Sequence, residues 1–510
     1  MFVDVLPRWE RYTYWVCSLS SLAYCVFSVF QEGERHKDRY LDDGLLTGWS
    51  WIGRPKDNTH LGWFIWMNTV WTALSWNVIH VMLSQACRFC QANGQIRQLL
   101  LTMASLCFLC SVYGIRIVTI LLVIATIMYL LSLQDRLRLI WLLAIALMFS
   151  RFLDFVDKFE AQYLLLEDIL MYTQFHISVS TFCIKIISFG LEKRKYRDQQ
   201  TNTKKTDRES SGQTFASSGT SKNKSTHSMN SVNEINAEMD IVESDPTFLD
   251  SLFYLFYYPT FFWGPFYEYC HFHNQVKSSF KTLILTESFY DVTKQLIKIV
   301  FFMFFIELHA HFLYYTRIGY DEELLESVSD WTFYGIIYCH SCYFHTKYFI
   351  TYGFGIQLSR LDGIAPVSAP RCIHFSYSGA DLWKSFDEGI YIFLKKCIFI
   401  PLGGSRRGVL RQLLISGLCF VFMIFWHGAG KKIIIWGVVN YFTCVLEIAG
   451  SRLSKSDFGV RVKSHLSPAM ILRLKALLHY PVYMMLLLTG YYFFFTRHVG
   501  WIAFSKMTFQ

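Results

Sequence analysis

Charge is what this sequence has least of. Asp, Glu, Lys and Arg make up 17% of its 510 residues, against roughly 25% in soluble globular chains. The shortfall is uneven, with long apolar runs alternating with short polar ones. A soluble chain of this length divides into several cores packed from amphipathic helices. Here many windows are apolar on every face, as in Ile117–Leu133. That excludes an ordinary water-soluble globule and fits a bilayer. Other absences narrow the chemistry. The chain has no P-loop, no GxSxG elbow and no DHHC cysteine cluster, so three common catalytic signatures are missing. It shows no internal repeat of the transporter kind. Its 14 cysteines form no secreted-domain framework. Cys107, Cys110, Cys183 and Cys419 sit inside apolar runs and read as small core residues. Cys87 and Cys90 fall where a helix leaves the membrane, a setting that S-palmitoylation uses. No cleavable signal peptide is evident. Tyr12–Phe30 follows the polar start Arg8–Arg11, lacks a small-residue cleavage site and reads as the first membrane helix. The terminal SKMTFQ carries no lumenal retention signal.

The charge that is present is basic. Lys and Arg number 48 against 39 acidic residues, a net +9, which in a membrane protein marks cytosolic loops rather than nucleic-acid binding. The lipid bilayer, not nucleic acid, is the expected partner. The 46 Phe, 30 Tyr and 15 Trp suit interfacial belts and lipid-facing helices.

Along the chain the expected helices are Tyr12–Phe30, His60–Gln85, Ile96–Tyr113, Ile115–Leu133, Leu137–Phe155 and Ala161–Gly190. Gly44–Gly53 is Trp-rich and too short to span, so it reads as an interfacial or re-entrant piece. Residues 192–245 are rich in Ser, Thr, Lys and Asn and read as a disordered linker, basic at its start and therefore cytosolic. The sequon Asn223-Lys-Ser225 falls inside it, where glycosylation is not expected. The second half gives helices over Phe248–Pro265, Phe289–Tyr315, Trp331–Leu358, Val409–Trp426, Lys432–Ala449 and Ile471–Phe495. Between Arg360 and Arg407, Pro, Gly and charged residues surround one apolar run, Ile390–Leu402. Irregular backbone at membrane depth needs protein or water around its polar groups, so a reaction chamber is expected there. The domain reading is residues 1–191, N-terminal membrane helices; 192–245, linker; 246–510, C-terminal membrane helices with a catalytic segment over 360–430.

Ionisable residues within membrane helices are costly, and each is a functional candidate. They are Glu167 and Asp168, Glu307 with His309 and His311, His427, and Glu447. His427 ends a strongly apolar helix and precedes Gly428-Ala-Gly430. It reads equally well as a general base reached by substrate past small residues and as a helix-end histidine bonded to a carbonyl. Asp387 heads the apolar run. It reads as a helix N-cap carboxylate, or as a group that orients an imidazole or binds a substrate amine. Arg406 and Arg407, in a glycine-rich turn, suit either the phosphates of coenzyme A or the anchoring of a cytosolic loop. Cys339 and Cys342 with His345 form a weak zinc pattern inside an aromatic helix. Glu307 and His311 share a helix face, as a polar bridge between helices would.

An apolar helix ending Phe425-Trp426-His427-Gly428, about 40 residues after Asp387, resembles the membrane-bound O-acyltransferase family. Its hedgehog-acyltransferase branch is the nearer likeness. Leu6-Pro-Arg-Trp-Glu10, Phe256-Tyr-Tyr-Pro259, Gly264-Pro265, Asp362-Gly363 and Pro370-Arg-Cys372 carry it, with Trp383 through Gly389, Gly403-Gly404-Ser405, Trp426-His427-Gly428 and Asn440. Two departures stand out. Trp263 replaces the family's Asn before Gly-Pro, and the linker is long for this branch. The resemblance implies an all-α polytopic fold of about ten membrane helices with re-entrant segments around a membrane-crossing chamber. It implies transfer of palmitate from palmitoyl-CoA to the N-terminal cysteine amine of a hedgehog-type secreted protein, in the endoplasmic reticulum membrane. It makes His427 and Asp387 catalytic. Trp383, Arg406, Arg407 and Asn440 become substrate-binding, and Cys372 a possible haem-iron ligand. The competing readings are a family member acting on a lipid, sterol or protein serine, and a non-enzymatic transporter or scaffold.

Overall fold

A computed structural model describes residues 5–41, 43–150, 169–212, 242, 244–279, 286–365, 367–376 and 378–509. Among these the chain is helical almost throughout. In order come α1 (Arg8–His36), a two-residue pair β1 (Leu45–Leu46) and β2 (Lys56–Asp57), α2 (Leu61–Phe89), α3 (Gly94–Tyr113), α4 (Ile115–Leu133), α5 (Leu137–Ser150) and α6 (Ile169–Gly212). Then follow α7 (Phe248–Phe256), α8 (Tyr269–Ser279), α9 (Thr286–His309), α10 (Tyr315–Tyr320), α11 (Glu322–Ser327) and α12 (Asp330–Leu361). The last are α13 (Gly379–Phe386), α14 (Glu388–Phe393), α15 (Val409–Trp426), α16 (Lys431–Lys455), α17 (Asp457–Ser464), α18 (Pro468–Phe494) and α19 (Arg497–Phe509). Seven of these, α1, α3, α4, α6, α15, α16 and α18, are long and apolar enough to cross a membrane. Helices α2, α9 and α12, with 29, 24 and 32 residues, have the length but a less apolar composition. Glu167, Asp168, the sequon and the end of the expected helix Leu137–Phe155 lie outside the described residues.

Residues 1–71, 294–354 and 368–510 form one compact unit, and 72–293 with 355–367 form the other. In the second unit, Asn93 caps α3 by accepting the Gln95 N–H, and Gly114 at φ +82 ends α3 and opens α4. Two expectations change here. The linker is not structureless from residue 192, because α6 continues to Gly212. Buried Lys193 holds Asp245 and the Pro246 carbonyl, Arg197 holds the Ser132 and Leu133 carbonyls, and nothing before Ser210-Ser-Gly212 breaks the helix. Phe248–Pro265 is not one helix. A capping box of Thr247 and Asp250 starts α7, and Pro259, which has no N–H to give, opens a wide π-type turn over Pro259–Trp263. Fully buried Lys185 takes up the freed groups, donating to Tyr254 O, Leu255 O and Thr260 Oγ1 at 3.2, 3.4 and 2.8 Å. Gly355 of α12 crosses this turn so closely that a Cβ would lie 1.9 Å from the Gly264 oxygen. Trp263 is accommodated by Asn77, whose Oδ1 accepts its indole N–H at 3.0 Å and the Tyr258 hydroxyl at 2.6 Å. Of the two cysteines at the end of α2, Cys87 is buried and Cys90 exposed.

In the first unit, Gly44–Gly53 is a loop closed by the β1–β2 ladder, Leu45 opposite Asp57 and Leu46 opposite Lys56. Its Gly44 and Gly53 take positive φ, and Gly48 lies where a Cβ would meet the His311 ring at 2.5 Å. His311 Nε2 accepts the Trp49 N–H at 3.0 Å, and Glu307 accepts from Lys56 and the Trp63 indole, both at 2.6 Å. Glu307 and His311 thus bridge α9 to this loop and to α2.

Candidate active site

Every residue of the site lies in the first unit. α15 ends at His427, whose N–H reaches the Met423 carbonyl at 3.0 Å. Gly428 at φ +101 and Ala429 at φ +43 reverse the chain, and the Ala429 N–H closes on Ile424 O at 2.8 Å. The small residues after His427 therefore have a backbone reason as well as a steric one. α16 returns against α15. Gly437 permits this, because a Cβ there would fall 2.4 Å from Ile424. Trp436 is thereby set beside His427.

Aromatic rings frame the imidazole. Trp426, Trp436 and Phe493 meet it edge-on, with centroids 4.7, 5.2 and 5.2 Å away. Trp383 packs edge-on to Trp436 at 5.6 Å, and its indole N–H is shielded with no acceptor among the described residues. Asn440 is buried one turn beyond Trp436 and donates to the Trp436 carbonyl at 2.8 Å. It braces the helix segment that carries Trp436. Glu447 receives the Gly379 and Ala380 N–H groups at 2.6 and 2.9 Å, which fixes the start of α13 and hence Trp383.

Asp387 joins α13 to α14. It caps α14 by accepting the Ile390 N–H at 3.0 Å, as the local sequence suggests, and it also receives the Tyr352 hydroxyl at 2.7 Å. It lies outside the seven apolar spans. Loss of water pushes its carboxyl above the ordinary value, opposed by those two hydrogen bonds. Rings connect it to the histidine: His427 to Phe493 at 5.2 Å, Phe493 to Phe344 at 5.9 Å, and Phe344 stacked on Phe386 at 5.3 Å. Phe386 immediately precedes Asp387.

Other expected residues are placed elsewhere. Arg406 and Arg407 are exposed on the turn before α15, at the opposite end of an 18-residue helix from His427. That helix is about 27 Å long, so these arginines and the imidazole do not share one pocket. Cys372 is half-buried ahead of a short turn over Ile373–Phe375. Near it, Cys342 Sγ lies 3.1 Å from His374 Nε2. No group of three metal-ligating side chains occurs among the described residues, and the zinc reading of Cys339, Cys342 and His345 gains no support. Sequence reasoning missed Tyr352, Trp436 and Phe493. Spacing gives no hint of Tyr352 or Phe493, which come from distant helices. Trp436 is marked in the sequence only as an aromatic just after the His427 reversal.

A histidine beside a glycine reversal, a tryptophan-lined approach and a carboxylate 40 positions earlier suit acyl transfer. The sequence model of the membrane-bound O-acyltransferase family matches residues 169–489, more than half of the chain. The chain belongs to that family. The acyltransferase is similar to mouse protein-cysteine N-palmitoyltransferase HHAT, 28% identical over 483 residues, covering 93% of this chain and 88% of that protein. It is similar to Drosophila melanogaster protein-cysteine N-palmitoyltransferase Rasp, 24% identical over 254 residues, covering 48% of this chain and 49% of that one. Mouse protein-cysteine N-palmitoyltransferase HHAT-like protein is 23% identical over 483 residues, covering 92% and 84%. The matched span contains both His427 and Asp387. This is a multi-pass membrane enzyme of the acyltransferase class.

Proposed function

We propose that this acyltransferase moves palmitate from palmitoyl-CoA to the N-terminal cysteine amine of a hedgehog-type secreted protein, in the endoplasmic reticulum membrane. The observation that carries the reading is His427, held by three rings at one end of a membrane-length helix. Full-length similarity to a protein-cysteine N-palmitoyltransferase supports the acceptor class. The opposite end of α15 carries Arg406, Arg407 and Arg411, and Arg452 of α16 meets Gln412 there. A basic end faces the cytosol. His427 then sits toward the side from which a secreted amine approaches.

A thioester is already activated, so the enzyme's main task is alignment. The amine nitrogen attacks the thioester carbonyl carbon, His427 takes the amine proton, the C–S bond breaks, and the departing thiolate recovers a proton. Asp387, positioned by Tyr352, hydrogen-bonds donor or acceptor. Trp383 packs on Trp436 along the approach, and Asn440 holds Trp436 in place. Arg406 and Arg407 attract phosphates at the cytosolic surface. Cys372, a free, half-buried thiol, would be the residue to hold a haem iron, and that group would supply redox chemistry beside α13.

The test offers purified protein labelled palmitoyl-CoA with a hedgehog-type N-terminal peptide, its N-acetylated form, a Ser-initiated peptide, and lipid or sterol acceptors. Label on the free-amine Cys peptide alone supports the reading. Label on serine or lipid replaces the acceptor, and donor transport without an acyl product overturns the activity.

A further inference from the structure

The second unit contains a cation whose binding edge is shielded and unanswered. Arg88 lies in the last turn of α2. Its Nε and Nη2, the two atoms that form the side-on fork of a guanidinium, are buried, and no described group accepts from them. A basic residue in the last turn complements the helix dipole, but that explains the charge and not the covered fork.

The carboxylate that acts on Arg88 is already committed. Arg97 and Asp362 are the charged neighbours of Arg88. Asp362 receives His80 Nε2 at 2.8 Å and Tyr257 at 2.5 Å on one oxygen, and Ser84 at 2.5 Å on the other. Arg97 stands 3.9 Å from the same carboxylate and donates to the Asp362 carbonyl at 3.2 Å. Asp362 thus already takes three hydrogen bonds with Arg97 beside it, and Arg88 makes no ion pair with it among the described residues. An unmatched cation in a low-dielectric setting is costly, and a planar fork fits the oxygens of phosphate with two parallel hydrogen bonds.

This site also has a side. Gln98, at the start of α3, holds Asp250 at 3.0 Å, and Phe248 packs on Tyr129 near the end of α4 at 5.1 Å. Arg197 of α6 caps Leu133 at the same end. The turn after Arg88 thus lies with the basic stretch Lys193–Arg197, the end that faces the cytosol. Phosphates of coenzyme A and of inner-leaflet phospholipids are both found there.

We propose that Arg88, supported by Arg97, forms a phosphate-binding site at the cytosolic end of the second unit. Its ligand is a phosphate of the coenzyme A donor or of an anionic phospholipid headgroup. The donor source rests on the acyl-CoA reading above, whereas the headgroup source does not.

The experiment compares wild type, Arg88→Gln and Arg88→Lys as full-length purified proteins. Thermal stability and ligand affinity are read with coenzyme A, with palmitoyl-CoA, and in phosphatidylcholine nanodiscs with or without phosphatidylserine. Wild type should be stabilised by coenzyme A or by phosphatidylserine. Arg88→Gln should weaken that ligand roughly tenfold to a hundredfold, and Arg88→Lys, which keeps the charge and loses the fork, should fall between. The ligand-free stability of Arg88→Gln should equal or exceed wild type, because an unpaired charge has been removed. A response to phosphatidylserine alone assigns the headgroup, and it stands even if palmitoyl-CoA does not bind at all. The site is refuted by equal responses in all three proteins, by no response in wild type, or by an Arg88→Gln protein that is destabilised or fails to fold, which would reveal an internal partner.

Discussion

His427 and Asp362 both belong to the segments that carry the family likeness, yet their surroundings differ. Asp362 is 2% exposed, and its carboxylate is closed by His80, Ser84 and Tyr257 with Arg97 beside it. His427 is half-buried, and rings face its edges. A polar residue in a membrane helix must find partners or lose its charge. Where the fold supplies the partners, as at Asp362, the residue holds helices together. Where rings frame a residue at a helix end, as at His427, its part in the chemistry is a matter for the proposed function. A motif residue in such a protein therefore has to be sorted by its surroundings.

The largest expected effect is on turnover at His427. His427→Ala should lower acyl transfer by 10²–10⁴-fold or more, roughly the worth of a general base, with protein yield and palmitoyl-CoA binding unchanged. Turnover near wild type in the purified variant would remove the histidine from the chemistry. Asp362→Ala should do the reverse. It strands His80 and Arg97 in a buried site and should cost about 3–5 kcal/mol, seen as loss of yield and a large fall in Tm in detergent. An Asp362→Ala protein with native Tm and no turnover would erase the contrast.

Asp387 stands between the two. Asn caps a helix about as well as Asp, so Asp387→Asn should keep the α14 cap and the native Tm. If the carboxylate acts on substrate, transfer should still drop by about 10–10²-fold, the effect of losing a hydrogen bond to a charged group. Native kcat in Asp387→Asn would reduce Asp387 to a cap. Tyr352→Phe should lower kcat by a smaller factor, about tenfold, through the same carboxylate, and its effect should vanish in the Asp387→Asn background. The smallest change is expected for Glu447→Gln. It loosens the start of α13 by about 1 kcal/mol and should raise KM more than it lowers kcat, because Trp383 shifts while His427 does not.

Much of this is legible in the sequence. The helices Ile115–Leu133 and Val409–Trp426 end where their apolar runs end, since a segment facing lipid must satisfy its backbone internally and has one regular way to do so. His427 was marked by its position at such an end. The errors fall where polar contacts from distant residues override local pattern. Pro259 breaks an apolar run that looks continuous, and Lys185, remote in sequence, takes up the broken ends. Residues 192–212 look like linker by composition, yet Lys193 and Arg197 are anchored to carbonyls of other segments.

The sequence by itself determined that the chain lives in a membrane, where most of its helices run, and that one histidine ends an apolar helix before a glycine reversal. Those properties depend on runs and neighbours a few residues apart. Only the tertiary structure decided that Asp387 is held by Tyr352, that His427 is framed by Trp436 and Phe493, that Arg406 and Arg407 lie a helix length away, and that Arg88 Nε and Nη2 are buried with no acceptor among the described residues. Each of these depends on which donor meets which acceptor across separate helices, and no local spacing encodes that pairing.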